Sequence, residues 1–435
     1  MFDKKALVQQ LDTQAAKEEF HLLYGGGEET AAEQRARYAA LLDDYIAHFG
    51  TQGAQPVFFS SPGRTEIVGN HTDHNNGLVL AAAVTLDTLA AAAPTDDGVI
   101  TLYSAGYDKP FVVDTADLAL RQEEKNTTFA LIRGVCKKLV DMGYTVGGFN
   151  AAVTSRVLGG SGLSSSAAFE VLLVCILDGL YNGSILDGVT RAKISQWVEN
   201  VYFGKPCGLM DQTASAVGNL VTIDFFDKGH PVITPVDFDF SACGHALCII
   251  DSRASHADLT DEYAAIPGEL KAVCRYFGKE VLTEIPEDAF YAAVPALRRE
   301  CGDRAVLRAI HFYQENARVP EQVKALRSGD FPRFLSLIQE SGNSSWMYLQ
   351  NVTPAGYTAH QDVAVALGLC QHYLHGRGAS RVHGGGFAGT VQAFVPFDLL
   401  DGFRAGIDAA LGQGACHVLS IRPQGGVEMA VEEDA

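Results

Sequence analysis

Four clusters in the 435-residue sequence combine residue types that can do chemistry. Residues 158–168 hold Gly159, Gly160, Ser161, Gly162, Leu163, Ser164, Ser165 and Ser166 just ahead of a strongly apolar run. Glycines let a backbone approach a ligand closely, and the free N–H groups at a helix start attract anions, so this stretch reads as a phosphate cradle. It lacks the Gly-Lys-Ser/Thr ending of a Walker loop, and a tight turn with a helix cap is the plainer reading. Residues 63–75 crowd Arg64, Glu66, Asn70, His71, Asp73, His74 and Asn75 between apolar stretches. So many polar groups are costly to bury unless a ligand satisfies them, whereas a solvated loop needs none. His71, Asp73 and His74 have the chemistry of metal ligands, but their spacing is short and no second cluster completes a site. Glu199 and Asp211 lie twelve residues apart, Asp211 opening a helix after a Gly-containing loop, either as a cap or as a base at a cleft. Finally, Gly384, Gly385, Gly386 and Gly389 fall within seven residues, which suits a bend, a bulge or a close backbone approach.

These clusters must be held by alternating strands and helices. Residues 3–50 read as a helical arm broken at residues 25–27. Strands are expected at 57–59 and 78–85 with residues 63–75 as a loop, then at 99–104, 111–114, 149–155, 220–225, 246–251 and 391–395. Helices are expected at 127–142, 164–181, 192–202 and 211–217. Strands and helices do not alternate strictly, so the fold class is α+β rather than a doubly wound sheet. The Pro- and Asp-rich residues 231–239 mark a boundary, dividing the chain into an arm (1–50), a first lobe (51–235) and a second lobe (236–435).

With 33 basic and 52 acidic side chains the net charge is −19, which argues against nucleic acid as a partner. The longest uninterrupted apolar stretches, 78–84 and 171–177, are far shorter than the roughly 20 residues of a bilayer span. The first residues carry no signal-peptide pattern, and nine scattered cysteines without a C-x-x-C suit a reduced, cytoplasmic setting.

Taken in order, the clusters resemble the GHMP small-molecule kinases and, within them, the galactokinase family. Residues 63–77 look like that family's Gly-Arg-x-Asn-x-x-Gly-Glu-His-Thr-Asp-Tyr-Asn-x-Gly signature. Residues 159–168 match its phosphate loop, residues 206–212 its Pro-Cys-Gly-x-Met-Asp-Gln segment, and residues 384–390 its third motif. Residues 255–263 are similar to a further stretch that pairs His256 with Tyr263.

The resemblance implies a two-lobed fold with the active site between the lobes. It implies ATP as co-substrate, Mg²⁺ as cofactor, and phosphoryl transfer to the anomeric hydroxyl of galactose. Gly159, Gly160, Ser161, Gly162, Leu163, Ser164 and Ser165 would wrap the nucleotide, with Gly384, Gly385 and Gly386 closing the cleft. Ser166 and Glu199 would hold the metal. Asp211 would accept or orient the hydroxyl proton beside Arg64. Asn70, His71, Asp73, Gly208 and Tyr263 would hold the sugar.

Asn70 stands where the family carries Glu, and His74 where it carries Tyr. Asn can bond a C6 hydroxyl but also tolerates a C6 carboxylate, so galacturonate or another galactose-like sugar competes with galactose. A sugar-sensing regulator is the non-catalytic alternative, against which stand the intact 164–168 segment, Glu199 and Asp211. The partners implied are a small sugar and ATP, with no nucleic acid or membrane, and a monomer or weak homo-oligomer.

Overall fold

The computed structural model describes residues 1–157, 162–205, 207–227, 229–254 and 259–429. Three helices open the chain: α1 (Lys4–Gln10), α2 (Gln14–Tyr24) and α3 (Glu28–Phe49). Asp3 and Thr13 cap the first two by accepting from the backbone N–H groups of Lys5 and Ala16.

The first lobe follows, as β1 (Val57–Val68), β2 (Leu78–Thr95), β3 (Val99–Ser104), β4 (Phe111–Asp114), α4 (Thr128–Asp141), β5 (Gly148–Ser155), α5 (Ser165–Asn182), α6 (Gly188–Val198), α7 (Met210–Val217), β6 (Leu220–Asp224) and β7 (Val232–Val236). The second lobe holds β8 (His245–Asp251), α8 (Thr260–Tyr276), α9 (Glu287–Glu300), α10 (Asp303–Arg327), α11 (Phe331–Ser344), α12 (Asp362–Leu374), β9 (Ala379–His383), β10 (Thr390–Pro396), α13 (Leu400–Leu411) and β11 (Cys416–Leu419). A last strand, β12 (Val427–Glu428), crosses back to the first lobe.

The larger sheet runs β12-β1-β2-β5-β3-β4, with β6 on β2 and β7 on β6, and the smaller runs β11-β8-β10-β9. Among the described residues only the β3–β5 pair is parallel, which fits the mixed α+β class. The alanine run in β2 explains how the layers stack. Leu89, Ala91 and Ala93 face the arm, whose Leu11, Phe20, Tyr38 and Leu42 are buried. Ala90 and Ala92 face the opposite way, toward α4 and α5. Period-two alternation serves both faces, so the strand reads as one apolar run, and small side chains let helices sit close on either side.

Helix α5 is long and apolar enough to cross a membrane by length and composition alone, but 61% of that window is buried inside the protein, where its Val171–Leu177 stretch is core. Between the lobes, Ile67, Leu80 and Val84 pack against Ile249, Phe334 and Phe394.

Two expectations need correction. β1 does not stop at Phe59 but continues through Arg64 and Glu66 to Val68. Its register shifts twice against β2, between Pro62 and Arg64 and between Glu66 and Val68, so polar residues enter a strand without breaking it. Residues 231–239 are not simply a connection, since β7 pairs along all of β6.

Candidate active site

The cleft forms where β1 meets the ends of α5 and α7. Arg64 projects from β1 and grips Asp211, in the first turn of α7, with two parallel bonds: Nε to Oδ1 and Nη2 to Oδ2, each 2.8 Å. Its Nη1 donates to the carbonyl of Gly162, and its own backbone N–H donates to the carbonyl of Leu163 at 3.0 Å. Thus one strand residue fixes both the Asp211 carboxylate and the end of the Gly/Ser loop. Burial alone would raise the Asp211 pKa, but the Arg64 charge and hydrogen bonds, together with Ser164, outweigh it and hold the carboxyl below its usual range.

Ser164 precedes α5 in the left-handed region at φ +58°. Its hydroxyl does not cap the helix; it donates to Asp211 Oδ2 at 2.6 Å. The first N–H groups of α5 therefore keep no side-chain cap, which is the arrangement that receives an anion. Gly159, Gly160 and Ser161 lie outside the described residues, as do Pro206 and His256.

A second carboxylate faces the loop. Glu199 sits where α6 ends in a single π-turn, Glu199–Phe203, closed by Gly204 at φ +86°. Sequence periodicity runs these residues together as one helix; the widened turn instead aims Glu199 at Ser166, whose Oγ lies 3.5 Å from Oε1. Lys205 Nζ is also 3.5 Å from Oε1, and Gln212 Nε2 donates to Oε2 at 2.6 Å. The same Gln212 nitrogen lies 3.3 Å from Oε2 of Glu170. Burial, then the nearby Glu199 charge, pushes Glu170 well above the carboxylate range. Ser166 and Glu199 thus present hard oxygens side by side, the donor type that suits Mg²⁺.

The residues expected to hold the sugar gather around the turn after β1. His71 adopts φ +61° and places Nε2 3.1 Å from the carbonyl of Gly385. Burial, followed by the neighbouring His74, lowers its pKa to about 4. Asp73 lies against Gly208, where a Cβ would sit 3.1 Å from Oδ2, so this glycine gives the carboxylate room. The His74 Nε2 is 3.9 Å from Asp73 Oδ1. A cavity of about 350 Å³ opens beside Asp73 and Gly208, walled also by His74, Lys193 and Gln196.

Tyr263, on α8, donates its hydroxyl to the carbonyl of Gly386 at 2.8 Å. Gly384, Gly385 and Gly386, expected at the nucleotide, therefore turn their carbonyls to Asn70, His71 and Tyr263, the residues expected to hold the sugar.

Asn70 is the clearest departure from expectation. It is 1% exposed, and protein groups occupy both its amide hydrogens and its carbonyl. It ties the lobes together and offers the cleft nothing. The sequence marks Glu66 only as one polar residue of the 63–75 cluster and Gln212 only as the end of the 206–212 segment, neither with a role, and gives no notice of Glu170 or of the His383 that bonds Thr65 at 3.0 Å. Alternation along β1 is the signal that finds Glu66, since it shares a face with Arg64 once residues 63–68 are seen as strand.

This fold and this pairing of carboxylates with a Gly/Ser helix start define a GHMP-type small-molecule kinase, and residues 130–219 match the GHMP kinases N terminal domain. Among solved structures, the fold is similar to Lactococcus lactis galactokinase complexed with galactose (TM-score 0.75, 24% identity, 90% of this chain and 100% of that one). It is also similar to the mevalonate kinase of Methanococcus jannaschii (TM-score 0.60, 13% identity, 85% and 99%).

Residues 43–94 match the galactokinase galactose-binding signature. The sequence is 32% identical to the galactokinase of Streptomyces coelicolor over 390 residues, 87% of this chain and 96% of that protein. The chain belongs to the galactokinase family, and so is a small-molecule phosphotransferase with ATP as co-substrate.

Proposed function

We propose that the protein transfers the γ-phosphoryl group of ATP to the anomeric hydroxyl of galactose. The observation that carries this reading is the bidentate Arg64–Asp211 pair, with Ser164 on the same carboxylate, at the mouth of an uncapped α5. Phosphoryl transfer depends chiefly on positioning and on neutralising charge. Asp211, ionised at neutral pH, orients the hydroxyl and takes its proton. A positioned base contributes about 10²–10⁴-fold. Arg64 keeps that base charged and lies beside the phosphate cradle formed by the α5 N–H groups, Ser164 and Ser165.

Asp73 and His71 accept and donate to sugar hydroxyls, Gly208 leaves space for the ring, and Tyr263 closes the opposite wall. Asp73 suits this role, because the described residues give its carboxylate no close hydrogen bond, and His74 stands 3.9 Å away. Ser166 and Glu199 hold Mg²⁺. When bound, the ion neutralises the phosphate oxygens.

The nine cysteines, all free thiols, support a cytoplasmic setting. The −19 charge argues against a nucleic-acid partner. The protein works as a monomer or weak homo-oligomer.

Incubation with Mg-ATP and galactose should release ADP and yield a sugar phosphorylated at C1 by ³¹P NMR. ADP release without a C1 phosphate, or none at all, would contradict the assignment.

A further inference from the structure

Resting on that reading, we propose that Glu66, rather than Asn70, accepts a sugar hydroxyl in this protein and selects a neutral galactose-type sugar over its uronate. The inference starts from the exhaustion of Asn70. An amide side chain has two donors and two acceptor positions. Asn70 Nδ2 donates to Glu66 Oε1 at 3.2 Å and to the Gly384 carbonyl at 2.6 Å. Its Oδ1 accepts from Asn351 Nδ2 at 2.8 Å and from Ser345 Oγ at 3.5 Å. Its backbone is engaged as well, donating to Glu315 and accepting from His311. No polar position of Asn70 remains for a ligand.

Glu66 is the opposite case. Its side chain is only 7% exposed. Oε1 takes both Arg381 Nη2 (2.9 Å) and Asn70 Nδ2, which fix the carboxylate plane. Oε2 receives no hydrogen bond from the described residues. Burial raises the Glu66 pKa, opposed by the charge and hydrogen bond of Arg381. In its ionised form the carboxylate is acceptor-only, with about four positions to fill, and presents an immobilised, half-satisfied acceptor.

It lies two residues from Arg64 on the same strand face, and Asn70 links its Oε1 to the carbonyl of Gly384 in the glycine loop, so we assign the free oxygen to the cleft that holds the reacting groups. A hydroxyl can fill that position by donating. A uronate carboxylate cannot, and would set like charges together.

The test compares wild type with Glu66→Gln, using ADP release with galactose, its 2-, 3-, 4- and 6-deoxy analogues, and galacturonate. Wild type should prefer galactose to galacturonate. Glu66→Gln should lose about 10- to 100-fold in kcat/KM for galactose, mainly through KM, the size of a charged hydrogen bond. One deoxy analogue should be equally poor for both proteins, identifying the hydroxyl that Glu66 receives. Galacturonate should improve relative to galactose.

An equal loss for every sugar, or no loss, would overturn the role of Glu66. Because Glu66→Gln leaves Arg381 without its charged partner, Asn70→Ser is measured in parallel. It should lower the melting temperature and, by removing one donor to Glu66 Oε1, weaken galactose, but the deoxy analogue that Glu66→Gln singles out should stay the same. A different analogue would make Asn70 the ligand and also overturn the proposal. Failure of wild type to phosphorylate galactose at all would instead remove the kinase reading on which this rests.

Discussion

At the scale of single residues, the site sorts its carboxylates by their partners. Asp211 is held ionised by Arg64, Glu170 is driven toward its neutral form by burial beside Glu199, and Glu199 is left facing a serine and a lysine. These environments suit Asp211 as the base, Glu170 as buried support and Glu199 as a metal ligand. Glu199→Gln should therefore raise the Mg²⁺ concentration needed for half-maximal rate at fixed ATP by about tenfold or more, since removing a ligand charge weakens a hard-cation site. Titrating Mg²⁺ at saturating substrates measures this, and an unchanged requirement would exclude Glu199 from the metal site.

His71 gives a pH signature. Its folded pKa of about 4 lies below its ordinary 6.5, so between those values the unfolded chain binds the extra proton. Stability is accordingly lost as pH falls from about 6.5 to about 4 and is unaffected by this group above that window. His71→Gln should flatten the stability–pH curve by up to one proton there, measured by denaturant unfolding at several pH values.

At the scale of elements, the site is built where regular structure is deformed. β1 bends twice around Arg64 and Glu66. One π-turn delivers Glu199, and a second, Ser345–Leu349, leads into Asn351, the residue that anchors Asn70. This explains what is legible in the sequence. The arm, the 164–181 helix and the 99–104 and 111–114 strands follow period 3.6 or 2, and their bounds are readable within a residue or two. The polar stretch 63–68 reads as loop because neither period describes a strand whose charged side chains are satisfied across a lobe interface, as Glu66 is by Arg381. The clusters around Arg64, Asp211 and Glu199 are visible through their residue types. The saturation of Asn70 is not, since four of its partners lie at 315, 345, 351 and 384.

The glycine loop shows the same dependence on distant neighbours. Gly386 has φ +83°, and a Cβ there would meet the Asn351 carbonyl at 2.0 Å. Gly386→Ala should destabilise the protein by more than about 1 kcal/mol and raise KM for the sugar, because the residue can neither adopt that backbone freely nor clear Asn351. Thermal unfolding and initial rates would show it, and a neutral substitution would contradict this packing.

At the scale of the whole molecule, one buried carboxylate joins three distant stretches of chain. Asp87, fully buried in β2, accepts from Arg37 of the arm at 2.5 Å, from Tyr24 at 2.6 Å and from Arg422 of the returning C-terminal segment at 3.3 Å. The arm is thereby part of the first lobe's packing and not an appendage. Asp87→Asn should cost about 3–5 kcal/mol, because two guanidinium groups lose their shared anion in a buried setting. Urea denaturation would measure it, and a loss below about 1 kcal/mol would mean the arm is held by its apolar face alone.

The proposed delivery of a phosphoryl group to a sugar through Asp211 is tested most directly by single-turnover transfer from γ-labelled Mg-ATP to galactose in wild type and Asp211→Asn. Labelled galactose 1-phosphate should form in wild type and slow by about 10²–10⁴-fold in the variant, with galactose binding and melting temperature preserved. Transfer at the wild-type rate by a folded Asp211→Asn protein would contradict it.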